Sequence, residues 1–160
     1  MKSSETYLIA KQKLSHYCSY QERSKTEVLS KLQTYKDLSP VEVEQIIQEL
    51  IAENFLNENR YIAAFVHGKF SIKKWGKLKI HHVLTSKHIA SQLIQQALRE
   101  IPDEVYQQTI QDLIQKKLAT LKAPINAIIQ KKTVNYLLQK GYEYELIREN
   151  LQAVLQQEKL

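Results

Sequence analysis

Three segments of this 160-residue chain share one apolar spacing. Val28-x-x-x-Leu32, Ile80-x-x-x-Leu84 and Val134-x-x-x-Leu138 align at offsets of 52 and 54 residues. After each comes a short turn and a second apolar cluster. The clusters are Ile46-Ile47-x-x-Leu50-Ile51, Leu93-Ile94-x-x-Ala97-Leu98 and Leu146-Ile147-x-x-Asn150-Leu151. Ile89 and Tyr142 each precede their cluster by four residues. Apolar residues three and four apart lie on one face of a helix. A module of about 50 residues buries too little surface to be very stable alone, so copies of it should stack. The spacing therefore predicts three tandem three-helix repeats, over 1–56, 57–101 and 102–160, stacked into an elongated, curved body.

Composition supports an all-α chain. Three Gly and three Pro are too few for the turns of a β-rich fold or for a Gly-rich phosphate loop. Leu, Ile, Gln, Lys, Glu and Ala dominate, and most of these favour helices. Helix starts are legible. Ser24-Lys-Thr-Glu27 and Ser39-Pro-Val-Glu42 are capping boxes, the second with Pro at the first helical position. Pro102-Asp103 and Pro124 mark two more starts. Nine helices are expected, at about 5–19, 24–35, 40–53, 58–71, 75–86, 90–100, 103–121, 125–139 and 143–157.

Charge is unevenly placed. From Asn59 to Arg99 there is no Asp or Glu, yet eight Lys and Arg, while the whole chain is only +6. The middle repeat therefore carries all of the net positive charge. Its natural partners are phosphates or an acidic protein face. The densest part is Lys73, Lys74, Trp75, Gly76, Lys77 and Lys79, with Arg60, Lys69 and Lys87 around it. The plain alternative is a solvated face that serves solubility. Trp75 has two readings, a stacking or interface anchor and a core ring. Gly76 suits a tight turn or close helix packing.

Enzyme and cofactor readings find little support. Phosphate-loop and nucleophile-elbow patterns are missing, and Cys18 and His16 are badly spaced to meet on one helix. His81 and His82 point about 100° apart on a helix, with no acid nearby to complete a metal site. The nine Tyr are expected in packing positions with wet hydroxyls. A single Cys suits a reducing compartment, and the N-terminus lacks a signal-peptide run. No segment reaches the ~20 apolar residues of a membrane span. A cytoplasmic monomer without cofactor is expected.

One stretch resembles a known family. Leu56-Asn57-Glu-Asn-Arg60-Tyr61-Ile-Ala63 is followed by Lys73-Lys74-Trp75-Gly76-Lys77, by Ile80-x-x-x-Leu84, by Lys87-His-Ile89 and by Ala97-Leu98. This order is similar to that of the RecX family, regulators of the bacterial RecA recombinase. The likeness covers roughly residues 5–155. It implies tandem three-helix repeats, no catalytic residues, and a seat in the groove of the RecA–DNA filament. There such a protein restrains ATP hydrolysis, strand exchange and filament growth, within recombinational DNA repair and the SOS response. Weak, charge-driven contact with single- or double-stranded DNA is implied as well. The sequence departs from the family where Asn57-Glu58-Asn59 replaces an Asp, and where Lys87-His88-Ile89 stands in a turn that usually holds Gly. Asn caps a helix as well as Asp, and His tolerates a positive φ better than a β-branched residue. Two other functions fit the residues alone. One is a helix-turn-helix DNA reader over Lys77–Leu98, with Ser91, Gln92, Gln95 and Gln96 toward bases. The other is a protein-only helical scaffold.

Overall fold

The computed structural model describes residues 2–158. Nine α-helices occupy them, with no strand among the described residues. They are α1 (Lys2–Tyr20), α2 (Lys25–Leu32), α3 (Pro40–Ala52), α4 (Glu58–His67), α5 (Lys77–Ser86), α6 (Ser91–Arg99), α7 (Asp103–Leu121), α8 (Ala127–Lys140) and α9 (Tyr144–Glu158). The all-α expectation holds. Two expected ends differ. The helix expected to run to residue 71 leaves α geometry after His67 and widens into a π turn over Gly68–Ile72. The helix expected from residue 75 starts at Lys77, because Lys74 is left-handed and Gly76 is extended.

The chain divides into two compact units, Met1–Phe65 and Val66–Leu160, with the boundary inside α4. In the first unit both capping boxes form. The Glu27 amide donates to Ser24 Oγ at 3.1 Å, and the Ser24 amide donates to the Glu27 carboxylate at 3.3 Å. The Ser39–Glu42 pair repeats this at 3.2 and 3.0 Å. Each such cap stabilises its helix by about 1 kcal/mol. Asn57 caps α4 by accepting from the Arg60 amide at 3.0 Å. The core behind them comprises Ala10, Leu14, Val28, Leu32, Ile46, Ile47 and Leu50, with Cys18 and Leu56 at its edge. At its surface Lys11 ties α1 to Glu49 of α3 and to Glu53 just past its end, at 3.1 and 2.8 Å.

In the second unit α5 packs on α6, and α7 packs on both α8 and α9. Ile80 and Leu84 are fully buried, as the repeat predicts. The third segment is out of register by one. Thr133 and Leu137 are fully buried, while Leu138 is 40% exposed. The spacing from Leu84 to Leu137 is therefore 53 residues, not 54. A core threonine is tolerated because its hydroxyl donates back to the Ile129 carbonyl at 2.9 Å, which leaves its methyl to pack. The turns after these two helices match once the register is corrected. His88 takes φ 65° and Gly141 takes φ 98°, each four residues past the buried leucine. Ile89 and Tyr142 then follow as buried side chains. The α8 start also differs. Asn126, not Pro124, caps the helix by accepting from the Ile129 amide at 2.9 Å.

Candidate functional site

The basic loop between α4 and α5 is held by an unusual backbone path. A π turn widens the helix, since the Lys73 amide reaches back five residues to the Gly68 carbonyl at 3.1 Å. The Trp75 amide reaches six residues back, to Lys69 at 2.8 Å. Lys74 then turns left-handed at φ 60°, a conformation that costs a residue with a Cβ on the order of 1 kcal/mol. Such widened turns recur where a chain must present particular side chains.

The loop and the start of α5 are docked on the turn between α8 and α9. Helix starts leave amides without partners inside the helix. Here Gly76 donates to the Lys140 carbonyl at 2.7 Å, and Leu78 donates to the Gly141 carbonyl at 3.0 Å. The Lys77 amide donates to the Tyr106 hydroxyl at 3.0 Å. In return the Tyr142 hydroxyl donates to the Lys74 carbonyl at 2.9 Å, and Lys140 Nζ reaches the Lys73 carbonyl at 3.3 Å. The approach is as close as two backbones allow. A Cβ on Gly76 would lie 2.3 Å from the Gly141 carbonyl carbon, and a Cβ on Gly141 would lie 2.3 Å from Lys79 Cβ. Gly76 is thus explained by close packing.

Beneath the loop three rings stack in sequence. Phe70 and Tyr106 have centroids 5.8 Å apart, and Tyr106 and Tyr142 are 5.3 Å apart. Tyr106 is 1% exposed and its hydroxyl is dry, contrary to the wet hydroxyl expected. It donates to Glu143 at 2.5 Å while accepting from Lys77. Burial, and then the Glu143 carboxylate, push the Tyr106 phenol well above its ordinary pKa. Burial, again followed by Glu143, does the same to Tyr142. Lys140 shifts the other way, lowered first by burial and then by Lys116 nearby.

The expected site residues are distributed as follows. Lys73 and Lys74 are exposed, and Lys69, Trp75, Lys77, Lys79 and Lys87 are half-buried. Two ammonium groups lie over the Trp75 ring, Lys69 at 4.8 Å and Lys79 at 4.3 Å from its centre. Lys77 instead lies over the Tyr106 ring at 4.6 Å. Among the described residues no carboxylate forms an ion pair with Lys73, Lys74, Lys77 or Lys79. Arg60 belongs to the first unit, and its donors are used there. It bonds Glu22 at 3.0 Å, the Asn54 side chain and carbonyl at 2.9 Å each, and the Phe55 carbonyl at 3.4 Å. It holds the end of α3 in place. Lys140, Gly141, Tyr142, Tyr106 and Glu143 also belong to this site, and no sequence motif marks them as parts of it. The Lys-Gly-Tyr turn was visible, but nothing in one sequence says that it meets residue 76. Among the described residues no group of three or more His, Cys, Asp or Glu could hold a metal ion. No helix among them is long and apolar enough to cross a membrane.

Two family models match the chain, described as the second three-helix domain of RecX over 57–98 and the third three-helix domain of RecX over 104–151. The regulatory protein RecX of Streptococcus agalactiae is 28% identical over 137 residues, covering 86% of this chain and 52% of that protein. The regulatory protein RecX of Lactobacillus gasseri is 36% identical over 88 residues, 55% of this chain and 32% of its own. The chain spans about half the length of the Streptococcus relative. The crystal structure of RecX from Lactobacillus salivarius superposes with a TM-score of 0.85 at 24% identity, over 94% of this chain and 97% of that one. A second crystal structure of a regulatory protein RecX gives 0.80 at 22% identity, over 92% and 74%. With its tandem three-helix domains and its glycine-braced basic loop, the chain belongs to the RecX family.

Proposed function

We propose that this protein regulates the RecA recombinase, mainly as an inhibitor, by seating on the RecA–DNA filament and slowing ATP hydrolysis, strand exchange and filament growth. The observation that carries this reading is the basic loop. Its lysines are borne on a backbone fixed at both ends, so their charge is presented without the entropy loss of ordering a flexible tail. Lys73 and Lys74 give the phosphate or acidic-face contacts, and Lys69, Lys79 and Lys87 extend them, with Lys69 and Lys79 over the Trp75 ring. Arg60 contributes by shaping the first unit. The three repeats, over 1–56, 57–101 and 102–160, act as a cytoplasmic monomer in recombinational repair, without catalysis of their own. DNA contact is weak and falls with salt.

The test is the DNA-dependent ATPase of the cognate recombinase. Addition of the protein at near-stoichiometric amounts lowers the rate, and changing both Lys73 and Lys74 to Glu removes the effect while circular dichroism keeps its helical signal. No change in ATPase or strand exchange over a wide dose range would falsify the reading. A second reading, sequence-specific DNA binding, rests on Ser91, Gln92, Gln95 and Gln96, whose side chains are exposed along α6. It requires one DNA sequence to be preferred by about 4 kcal/mol or more over random DNA. Affinity that ignores sequence leaves the regulator.

A further inference from the structure

The first unit carries a feature that the basic loop does not explain. A groove of about 800 Å³ lies against α1 and α2, within the size range of peptide and small-ligand sites. Ile9, Leu14 and Tyr35 give it an apolar wall, and Lys13, Arg23 and Lys31 give it cations. This unit contains nine carboxylates, and none of them lines the groove. Arg23 is partly answered by Glu27 at 3.9 Å. No ion pair engages Lys13 or Lys31 among the described residues. Two apolar side chains at the mouth stay in water, Ile9 at 50% and Tyr20 at 79% exposure.

We infer that this groove is a docking site for an acidic protein segment that carries apolar side chains. The inference is independent of the recombinase reading. Charge complementarity selects the sign of the partner, because an acidic segment meets the exposed Lys13 and Lys31 while no carboxylate lines the groove. The wall selects its kind. Ile9 and Tyr20 offer exposed apolar surface, which rewards burial of a Leu or Phe side chain and offers a phosphate nothing. The Tyr17 ring is unsuited to stacking a base on its covered face, since the Arg23 guanidinium lies 3.7 Å from its centre. The Arg23 Nε also donates to the Tyr17 carbonyl at 3.0 Å, so that cover is fixed. Lys31 stands 5.4 Å from the same ring. A segment with an apolar residue flanked by Asp or Glu satisfies both the wall and the rim.

The experiment is fluorescence anisotropy with the full chain and a labelled peptide, Glu-Asp-Leu-Asp-Glu-Phe-Asp-Asp. The peptide is expected to bind. Replacing its Leu and Phe by Ser weakens it about fivefold or more, as loss of buried apolar area requires. Changing Lys13 and Lys31 together to Glu weakens it about tenfold or more. Both side chains are exposed, so the variant folds, and circular dichroism checks this. The inference is overturned by binding weaker than about 1 mM, by equal binding of the Lys13/Lys31 variant, or by displacement with oligothymidine, which would assign the groove to nucleic acid. It is overturned too if sedimentation shows self-association that the same variant abolishes, for then the occupant is a second copy. Recombinase is absent from the assay, so failure here and failure of the ATPase test are separate results.

Discussion

The starts of α2 and α3 in the first unit and of α5 in the second are completed in opposite ways. In the first unit α2 and α3 satisfy their own amides, Ser24 with Glu27 and Ser39 with Glu42, all within four residues. In the second unit α5 has no side-chain cap. Its opening amides find the Lys140 carbonyl, the Tyr106 hydroxyl and the Gly141 carbonyl, up to 64 residues further along the chain. A locally capped helix carries its boundary in its own sequence. A helix capped by a neighbouring repeat borrows its boundary, and the basic loop attached to it is set by residues far along the chain. The lesson is that the loop's presentation and the stability of the second unit are one property, whereas the first unit's caps affect that unit alone.

The hardest blow to this contrast is at the glycine contact. Gly76→Ala places a methyl 2.3 Å from the Gly141 backbone, and Gly141→Ala adds a positive φ to a similar clash. Each is expected to cost about 3 kcal/mol or more, read by urea denaturation, because neither backbone can yield. Filament or DNA binding should fall with every lysine still present. Unchanged binding by a folded Gly76→Ala protein would separate the loop from its brace. Tyr106→Phe is milder. It strips the Lys77 amide and the Glu143 carboxylate of a partner and should cost about 1–3 kcal/mol. Ser24→Ala and Ser39→Ala should cost about 1 kcal/mol each and add, since they cap different helices. Their recombinase inhibition should match the parent's, which an ATPase titration checks.

The smallest effect at neutral pH becomes visible in alkali. The Tyr106 phenol is raised in the folded state, so folding favours its protonated form. Its contribution is fully present below the unfolded tyrosine pKa of about 10 and is lost as pH rises through the folded value. Stability measured at rising pH should therefore decline above about pH 10, and less steeply in Tyr106→Phe. Identical slopes would mean that the hydroxyl is not buried as described.

What could be read from the sequence follows the same division. Capping boxes, helix centres and the Asn57 cap were legible because each is decided by neighbours three or four residues away. Hydropathy alone points to Val134 and Leu138 in the third copy, one residue out of register. The structure instead buries Thr133, whose hydroxyl is consumed by its own helix. The basic composition of the loop was plain, and its brace was not. Tyr106, Lys140 and Tyr142 look like ordinary helix and turn residues until the fold sets them against residues 73–78. Arg60 shows the reverse case, a charge plain in the sequence whose partners are not. Counted among the cations of the basic stretch, it spends its donors on Glu22, Asn54 and Phe55.

The distance between Gly76 and Gly141 also sets a timetable. At a synthesis rate of about 5–20 residues per second, the partner turn is made roughly 3–13 seconds after the loop. The first unit, with its self-sufficient helix ends, can fold while the ribosome is still working. The lysine loop has to wait, and throughout that interval its opening amides are bonded to water. A nascent chain halted before residue 140 would thus display the charges without the shape.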